Sequence, residues 1–460
     1  MNFTDTIAAI ATPIGEGGIG IIRISGENAK SICLKLLRTA KGKQFKDLED
    51  HRVYYGVVTN PDNGQTVDEA LFFYNAKPHS YTAEAVVEIQ IHGGMLVLSK
   101  VLNLVLSQGA RLAEPGEFTM RAFMNGRIDL VQAESVIDLI RAKTDRSHEL
   151  ALSQLTGKTS QKLDQVETGL YEILVAIEAV LDYPEEGLPE IERSTLTQRT
   201  AEIEATLQDM AASVDEGRKI REGVNLVIVG RPNVGKSSLL NAFIQEERAL
   251  VTEIPGTTRD LIETQFQLQG IPFRLIDTAG LHESDNLIEK MGMEKTEKSM
   301  AEADLILLVL DGSQPLTAED RLVMAKVQPY QFMTIINKSD LPSRLDPDSL
   351  NFQSEPAPIK VSALTRAGFE QLEETIINMV GLGKLQLDDR PLLSRVRHKN
   401  AIQKALKALH TFQDGLQRGL SEDLLAVDLR ESLAALGEIS GKDVGTEILH
   451  RIFEDFCIGK

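Results

Sequence analysis

"NLVIVGRPNVGKSSLLNAF" (Asn225–Phe243) decides how this 460-residue chain is read. A buried apolar strand runs into Gly230-x4-Gly235-Lys236-Ser237 and then into a helix. In that context the backbone N–H groups of the loop point inward at phosphate oxygens, helped by the helix N-terminus. Lys236 neutralises the β- and γ-phosphates, and the Ser237 hydroxyl is a Mg2+ ligand. The expected contacts are Asn233, Val234, Gly235, Lys236, Ser237 and Ser238. Strand and helix patterns alternate from about Val224 to Gly381, so the loop belongs to an α/β domain.

Three further elements follow in order. "GTTRD" (Gly256–Asp260) offers threonine hydroxyls, of which Thr258 is the expected second Mg2+ ligand. "RLIDTAG" (Arg274–Gly280) is an apolar strand ending in Asp277, placed to hold Mg2+ through water. Thr278 and Ala279 lead to Gly280, whose amide is free to meet the γ-phosphate. "TIINKSD" (Thr334–Asp340) selects the base: the Asp340 carboxylate accepts from guanine N1–H and N2–H2, a donor pair that adenine lacks. Asn337 supports loop and base, the Lys338 stem covers the ring, and Ser339 lies between Lys338 and Asp340. "VSAL" (Val361–Leu364) brings the backbone of Ser362, Ala363 and Leu364 to guanine O6. Motifs in this order predict a Ras-like P-loop GTPase domain binding GTP and Mg2+.

Two catalytic parts are not settled by spacing. Many small GTPases place a water-orienting Gln after D-x-x-G, but this chain has Leu281 there. An acid downstream is the substitute, and both Glu283 and Glu289 qualify. Charge stabilisation has two solutions as well. One is an arginine supplied by a partner. The other is a monovalent cation held by the Asn233 side-chain oxygen, its shell completed by carbonyls of "VTEIPG" (Val251–Gly256). The plain alternative is that Asn233 only shapes the turn.

Outside the α/β region the patterns differ. "GIGIIRIS" (Gly18–Ser25), "HRVYYGVV" (His51–Val58), "EALFFYN" (Glu69–Asn75) and "AVVEIQIH" (Ala85–His92) read as strands of an α+β domain. "GEGGIG" (Gly15–Gly20) matches a dinucleotide loop literally, but β-branched "IIRIS" follows it where a helix would be needed. A Gly-rich hairpin is the expectation. Leu163, Val166, Leu170, Ile173, Ile177 and Val180 mark one helix face, "DYPEEGLPE" (Asp182–Glu190) breaks it, and a second helix runs to about Gly217. Helical patterning returns after Pro391. The expected fold class is multidomain α/β and α. Residues 1–120 form the N-terminal α+β domain, 121–217 and 382–460 the two parts of a helical domain, and 218–381 the inserted GTPase domain. With Cys33 and Cys457 as the only two cysteines, a disulfide framework is excluded and a cytoplasmic setting expected. The start of the chain has no secretory pattern, and no apolar stretch approaches the ~20 residues that span a bilayer. The net charge of −19 disfavours indiscriminate adhesion to nucleic acid.

"GRPNVGKSSLLNAF", "VTEIPGTTRD", "DTAGL" and the terminal "FCIGK" together resemble the MnmE (TrmE) family of tRNA-modification GTPases. "TIAAIATPIGEGGIGIIRISG" (Thr6–Gly26) and "PGEFTMRAFMNGRIDLVQAE" (Pro115–Glu134) extend the likeness over essentially the whole chain. The resemblance implies a homodimer whose N-terminal domain binds 5-formyl- or 5,10-methylene-tetrahydrofolate and resembles folate-dependent aminomethyltransferases. It implies paired GTPase domains activated by K+, with Asn233, Thr252, Ile254 and Thr257 at the K+ positions. Glu253, Pro255, Gly256 and Thr257 join the GTP-contacting segment, and Glu289 takes the catalytic acid position. Folate contacts carry over to Arg23, Glu88, Arg127 and Lys460. Cys457 then lies near the one-carbon site, where a thiolate attacks uridine C6 or handles a methylene unit. The implied partners are tRNA and a flavoprotein of the MnmG (GidA) family in a heterotetramer. The implied product is an aminomethyl or carboxymethylaminomethyl group on C5 of the wobble uridine. Two competing readings are a ribosome-assembly switch, which needs no folate, and a stand-alone folate aminomethyltransferase, which needs no flavin partner.

Overall fold

The computed structural model describes residues 5–182, 192–246, 264–276, 297–346, 356–383 and 392–460. The chain divides into two compact units. One comprises residues 1–137, 155–167 and 430–460; the other comprises 138–154 and 168–429.

In the first unit, β1 (Ile7–Ile10), β2 (Gly17–Ser25), β3 (Leu37–Arg38), β4 (Arg52–Thr59), β5 (Thr66–Asn75), β6 (Val86–Gly93) and β7 (Arg111–Leu112) form one sheet. Their order is β3-β4-β5-β6-β2-β1-β7. The four segments with alternating apolar residues are β2, β4, β5 and β6. Alternation puts Ile22, Ile24, Phe72, Val87 and Ile89 in one core with Ile32, Leu36, Leu98 and Val101 of the helices Ala29–Leu36 and Met95–Ser107. β1 and β2 pair antiparallel, with Ile7 opposite Ser25 and Ile10 opposite Ile22. The Gly-rich stretch is therefore a hairpin connection that enters a strand. Ile7 and Ala9 pack with Ala113 and Phe118. The end of the chain contributes its own cluster: Phe453 and Phe456 pack with Met120, Leu130, Ala133, Ile137 and Leu449.

In the second unit, β8 (Val224–Val229), β9 (Thr264–Leu268), β10 (Ile271–Leu275), β11 (Leu305–Asp311), β12 (Phe332–Asn337) and β13 (Ile359–Lys360) form a sheet of order β13-β12-β11-β8-β10-β9. All pairings are parallel except that of β9 with β10. Every residue of β11 is buried, as a central strand covered on both faces must be. Leu305, Leu307 and Val309 face a core with Phe243, Phe369 and Leu372. Ile306, Leu308 and Leu310 face another with Met300, Met324 and Val327.

The helix carrying the 163–180 stripe runs Lys158–Asp182, and Leu163, Val166, Leu170, Ile173 and Ile177 are buried. The next helix, Arg193–Glu222, does not stop at Gly217 but at Gly223. Gly217 is there for close packing: a Cβ at this position would lie 2.1 Å from the Leu393 carbonyl oxygen. This helix packs along the helix Val396–Arg418. Among the described residues no helix is long and apolar enough to cross a membrane.

Candidate functional site

In the second unit, β8 ends at the loop 230–235 and the helix Lys236–Glu246 begins at its lysine. The Lys236 ammonium donates to the Gly230 and Arg231 carbonyls, both at 2.9 Å, and so closes over the loop. Val234 is buried and anchors it. Asn233 adopts φ 63° and is exposed, as are Ser237 and Ser238. β12 delivers Asn337, Lys338, Ser339 and Asp340 to the same edge. Asn337 Nδ2 donates to the Val234 carbonyl at 2.9 Å, and its Oδ1 accepts from the Ala363 amide at 3.1 Å. One buried amide thus joins three segments that are far apart in sequence. Lys338, at φ 64°, donates to the Asn233 carbonyl at 2.9 Å. The exposed Asp340 accepts from Ser362 Oγ at 2.5 Å, which orients its carboxylate. The Ser339 amide donates to the Val361 carbonyl at 3.0 Å, and Leu364 is 84% exposed. Thr252, Glu253, Ile254, Pro255, Gly256, Thr257, Thr258, Asp277, Thr278, Ala279, Gly280 and Glu289 lie outside the described residues.

In the first unit, Arg23 of β2 stands directly opposite Glu88 of β6 in the sheet register. The pair is short, Arg23 Nε to Glu88 Oε1 at 2.7 Å, and both side chains are mostly buried. Arg23 also donates to the Gly459 carbonyl at 3.1 Å, which brings the end of the chain to the sheet. Gly459 sits at φ 95°, and a Cβ there would lie 2.3 Å from the Ile10 carbonyl oxygen. Only glycine fits that contact. Lys460 is half-buried; burial, and then the charge of Arg23, press its ammonium below the usual lysine range. Cys457 is exposed, and its carbonyl accepts from the amides of Gly116 and Lys460. Arg23, Glu88 and Lys460 therefore come together around the docked tail.

Arg127 reaches this group through a residue that sequence reasoning missed. Tyr81 has the Arg23 guanidinium 5.2 Å and the Arg127 guanidinium 5.0 Å from its ring centroid. Arg127 also donates to the Tyr81 carbonyl at 2.7 Å, and the Tyr81 hydroxyl is 2.8 Å from Thr119 Oγ1. The segment is held from beneath by a buried ionic cluster, also unread in the sequence. Arg121, 1% exposed, donates to Asp5, Glu84 and Glu117. Arg111 adds bonds to Asp5 and Glu117. Burial acts to raise the pKa of Glu117, but the donors Arg111, the Glu114 amide and Arg121 override it and hold the carboxyl below its ordinary value. The only sequence signals were "PGEFTMR" and the even spacing of Glu117 and Arg121 on one helix face.

The doubly covered, mostly parallel sheet, the phosphate loop at the end of β8 and Asn-Lys-Ser-Asp at the end of β12 define a P-loop GTPase domain, here within a longer multidomain chain. Residues 130–457 match the family described as the MnmE helical domain, and residues 6–127 match the GTP-binding protein TrmE N-terminus. The tRNA modification GTPase MnmE of Alkaliphilus metalliredigens is 44% identical over 461 residues, covering 100% of both chains. That of Geobacter sulfurreducens is 46% identical over 463 residues, again covering 100% of both. That of Thermoanaerobacter sp. is 45% identical over 457 residues, covering 99% of each. The chain belongs to the MnmE family of tRNA modification GTPases.

Proposed function

We propose that this chain is the GTP-hydrolysing subunit of a complex that adds an aminomethyl or carboxymethylaminomethyl group to C5 of the wobble uridine of certain tRNAs. It acts in the cytoplasm as a homodimer, with a flavoprotein of the MnmG (GidA) family completing a heterotetramer. The chain is organised as an α+β domain (1–120), a helical domain in two parts (121–217 and 382–460) and an inserted GTPase domain (218–381). The observation that carries this reading is the docked tail, with Gly459 against β1 and the Arg23 guanidinium on its carbonyl. A switch that only regulated docking would have no use for residues 457–460 fastened beside a carboxylate, two guanidiniums and a half-buried amine.

That group suits a one-carbon tetrahydrofolate. Glu88 matches the donor edge of a pterin, while Arg23, Arg127 and Lys460 suit an acidic tail. A folate held there would supply the carbon unit, and the exposed Cys457 thiolate would add to uridine C6 or handle the methylene unit. For GTP, the residues from Asn233 to Ser238 cradle phosphates, and Asn337, Lys338, Asp340 and the 362–364 backbone hold guanine. Ser237 and Thr258 hold Mg2+. Asn233, Thr252, Ile254 and Thr257 hold K+, whose charge serves where an arginine acts in other GTPases. The Asn233 side chain is exposed and has no hydrogen bond among the described residues, so its oxygen is open to a cation. Glu289 orients the attacking water.

The test is nucleoside mass spectrometry on tRNA from cells whose only copy lacks residues 457–460. C5-modified wobble uridine should disappear while the purified protein still hydrolyses GTP. Persistence of the modification would remove the folate and Cys457 assignments.

A further inference from the structure

At the end of β11, Asp311 has a side chain only 1% exposed, although it belongs to none of the nucleotide motifs. Its Oδ2 lies 2.7 Å from the Lys338 ammonium. Its Oδ1 accepts from the Ser313 amide at 3.0 Å and from the Ser313 hydroxyl at 2.6 Å. Burial acts to raise its pKa, but the Lys338 and Ser313 bonds override this and hold the carboxyl ionised below its ordinary value. Arg231, the second residue of the phosphate loop, approaches the same Oδ2 to 4.0 Å. That arginine is also anchored to Gln314 at 2.7 Å and to Asp320 at 3.2 Å. One buried carboxylate therefore faces cations from two motifs.

We propose that Asp311 is a positioning residue for guanine binding: it clamps the Lys338 ammonium so that the lysine stem is held as a fixed cover over the base. This deepens the GTP-site reading above and rests on it. The geometry explains why such a clamp is needed. Lys338 has a left-handed backbone, φ 64°, which costs a non-glycine residue free energy. Its long side chain also has several rotatable bonds to fix. The Asn233 carbonyl offers the ammonium only one neutral acceptor. Asp311 adds a charge-assisted bond, and the two acceptors together fix where the ammonium sits. The stem between Cα and Nζ is then stretched along the loop before any nucleotide arrives. Ser313 holds the carboxylate by its other oxygen, and the arginine keeps the local charge balanced. The base is still chosen by Asp340; Asp311 governs how long a chosen base stays.

The readout is the release rate of a fluorescent guanine nucleotide, mant-GDP, from the full-length protein. Asp311→Asn should speed release about tenfold, since hydrogen bonds to charged groups carry that much and Lys338 is partly solvated. Lys338→Met should also release faster, and adding Asp311→Asn to it should change the rate less than about twofold, because the effect passes through the lysine. An unchanged rate in Asp311→Asn, or a full tenfold effect in the Lys338→Met background, overturns the proposal. Should Asp311→Asn fail to fold, Ser313→Ala carries the test: faster release supports the clamp and an unchanged rate overturns it. If the unaltered protein holds mant-ADP as tightly as mant-GDP, the guanine-site reading falls and the clamp with it.

Discussion

Cys457 and Gly459 stand two positions apart and answer to different constraints. Cys457 is exposed, whereas Cys33 is fully buried and its thiol is pushed well above the ordinary range by that burial. Native protein should therefore take one equivalent of a thiol reagent at neutral pH, and the second only in denaturant. Mass mapping of the labelled peptide checks this; early labelling of Cys33 would show a core looser than described. At Gly459 the limit is steric. Alanine there would carry about 1–2 kcal/mol of left-handed strain and a clash with the Ile10 carbonyl. Gly459→Ala should loosen this segment, seen as a rise of roughly tenfold in hydrogen exchange of the Lys460 amide, which is bonded to the Cys457 carbonyl, about what that strain allows. Residues in local motifs, such as Lys236 or Asp340, were legible because their chemistry is written in consecutive letters. Tyr81 and Asp311 were not. Tyr81 matters through Arg23 and Arg127, and Asp311 through Lys338; long-range partners leave no local period.

Among elements, the strands of the first unit were readable where one face is buried and the other is not, as in β2 and β6. The short β1 lacks enough residues to alternate and was missed. In the helix Arg193–Glu222, Gly217 reads as a stop signal but serves as a contact surface for Leu393. A glycine cannot announce which of the two it is. The buried ionic cluster ties Asp5, just ahead of β1, to β7, the segment around Glu84 and the helix Glu117–Met124. Asp5 and Glu117 both have pKa values below their ordinary ones in the folded state. For Asp5, burial opposes the shift and the Arg111 and Arg121 bonds outweigh it. Groups depressed on folding stabilise above their unfolded pKa and lose that contribution as pH falls through the folded value. The first unit should thus weaken below about pH 4. Glu117→Gln should destabilise it at neutral pH by about 3–5 kcal/mol, since a buried guanidinium loses a charged partner, and should flatten the acid slope. Hydrogen exchange of β1 and β2 peptides, corrected for intrinsic rates, measures both effects.

For the molecule as a whole, the charge of −19 sets the terms for an RNA substrate. Two cations near the start of the helix Val396–Arg418 do not form a free basic track: Arg395 pairs with Asp138 at 2.8 Å and Lys399 with Asp215 at 2.6 Å. The proposed flavoprotein partner is then expected to supply much of the attraction for tRNA phosphates, and tRNA affinity should rise sharply when it is added. The GTPase cycle makes a separate demand. Turnover should be faster in K+ than in Na+ at matched ionic strength and should collapse in Asn233→Ala or Glu289→Ala. Equal rates in both salts would remove the cation role and leave GTP binding intact.

The make-up of the first unit has a bearing on how the protein is born. Its sheet comes from the first 137 residues, yet the segment that docks on Arg23 belongs to 430–460. Synthesis runs from N- to C-terminus at about 5–20 residues per second, so the ribosome makes all of 168–429 in between. During that interval β1 and β2 wait without their last partner. A message cut short before residue 430 yields a chain that lacks Gly459 and cannot set its carbonyl on Arg23. The group around Arg23 is therefore the last part of the first unit to be completed.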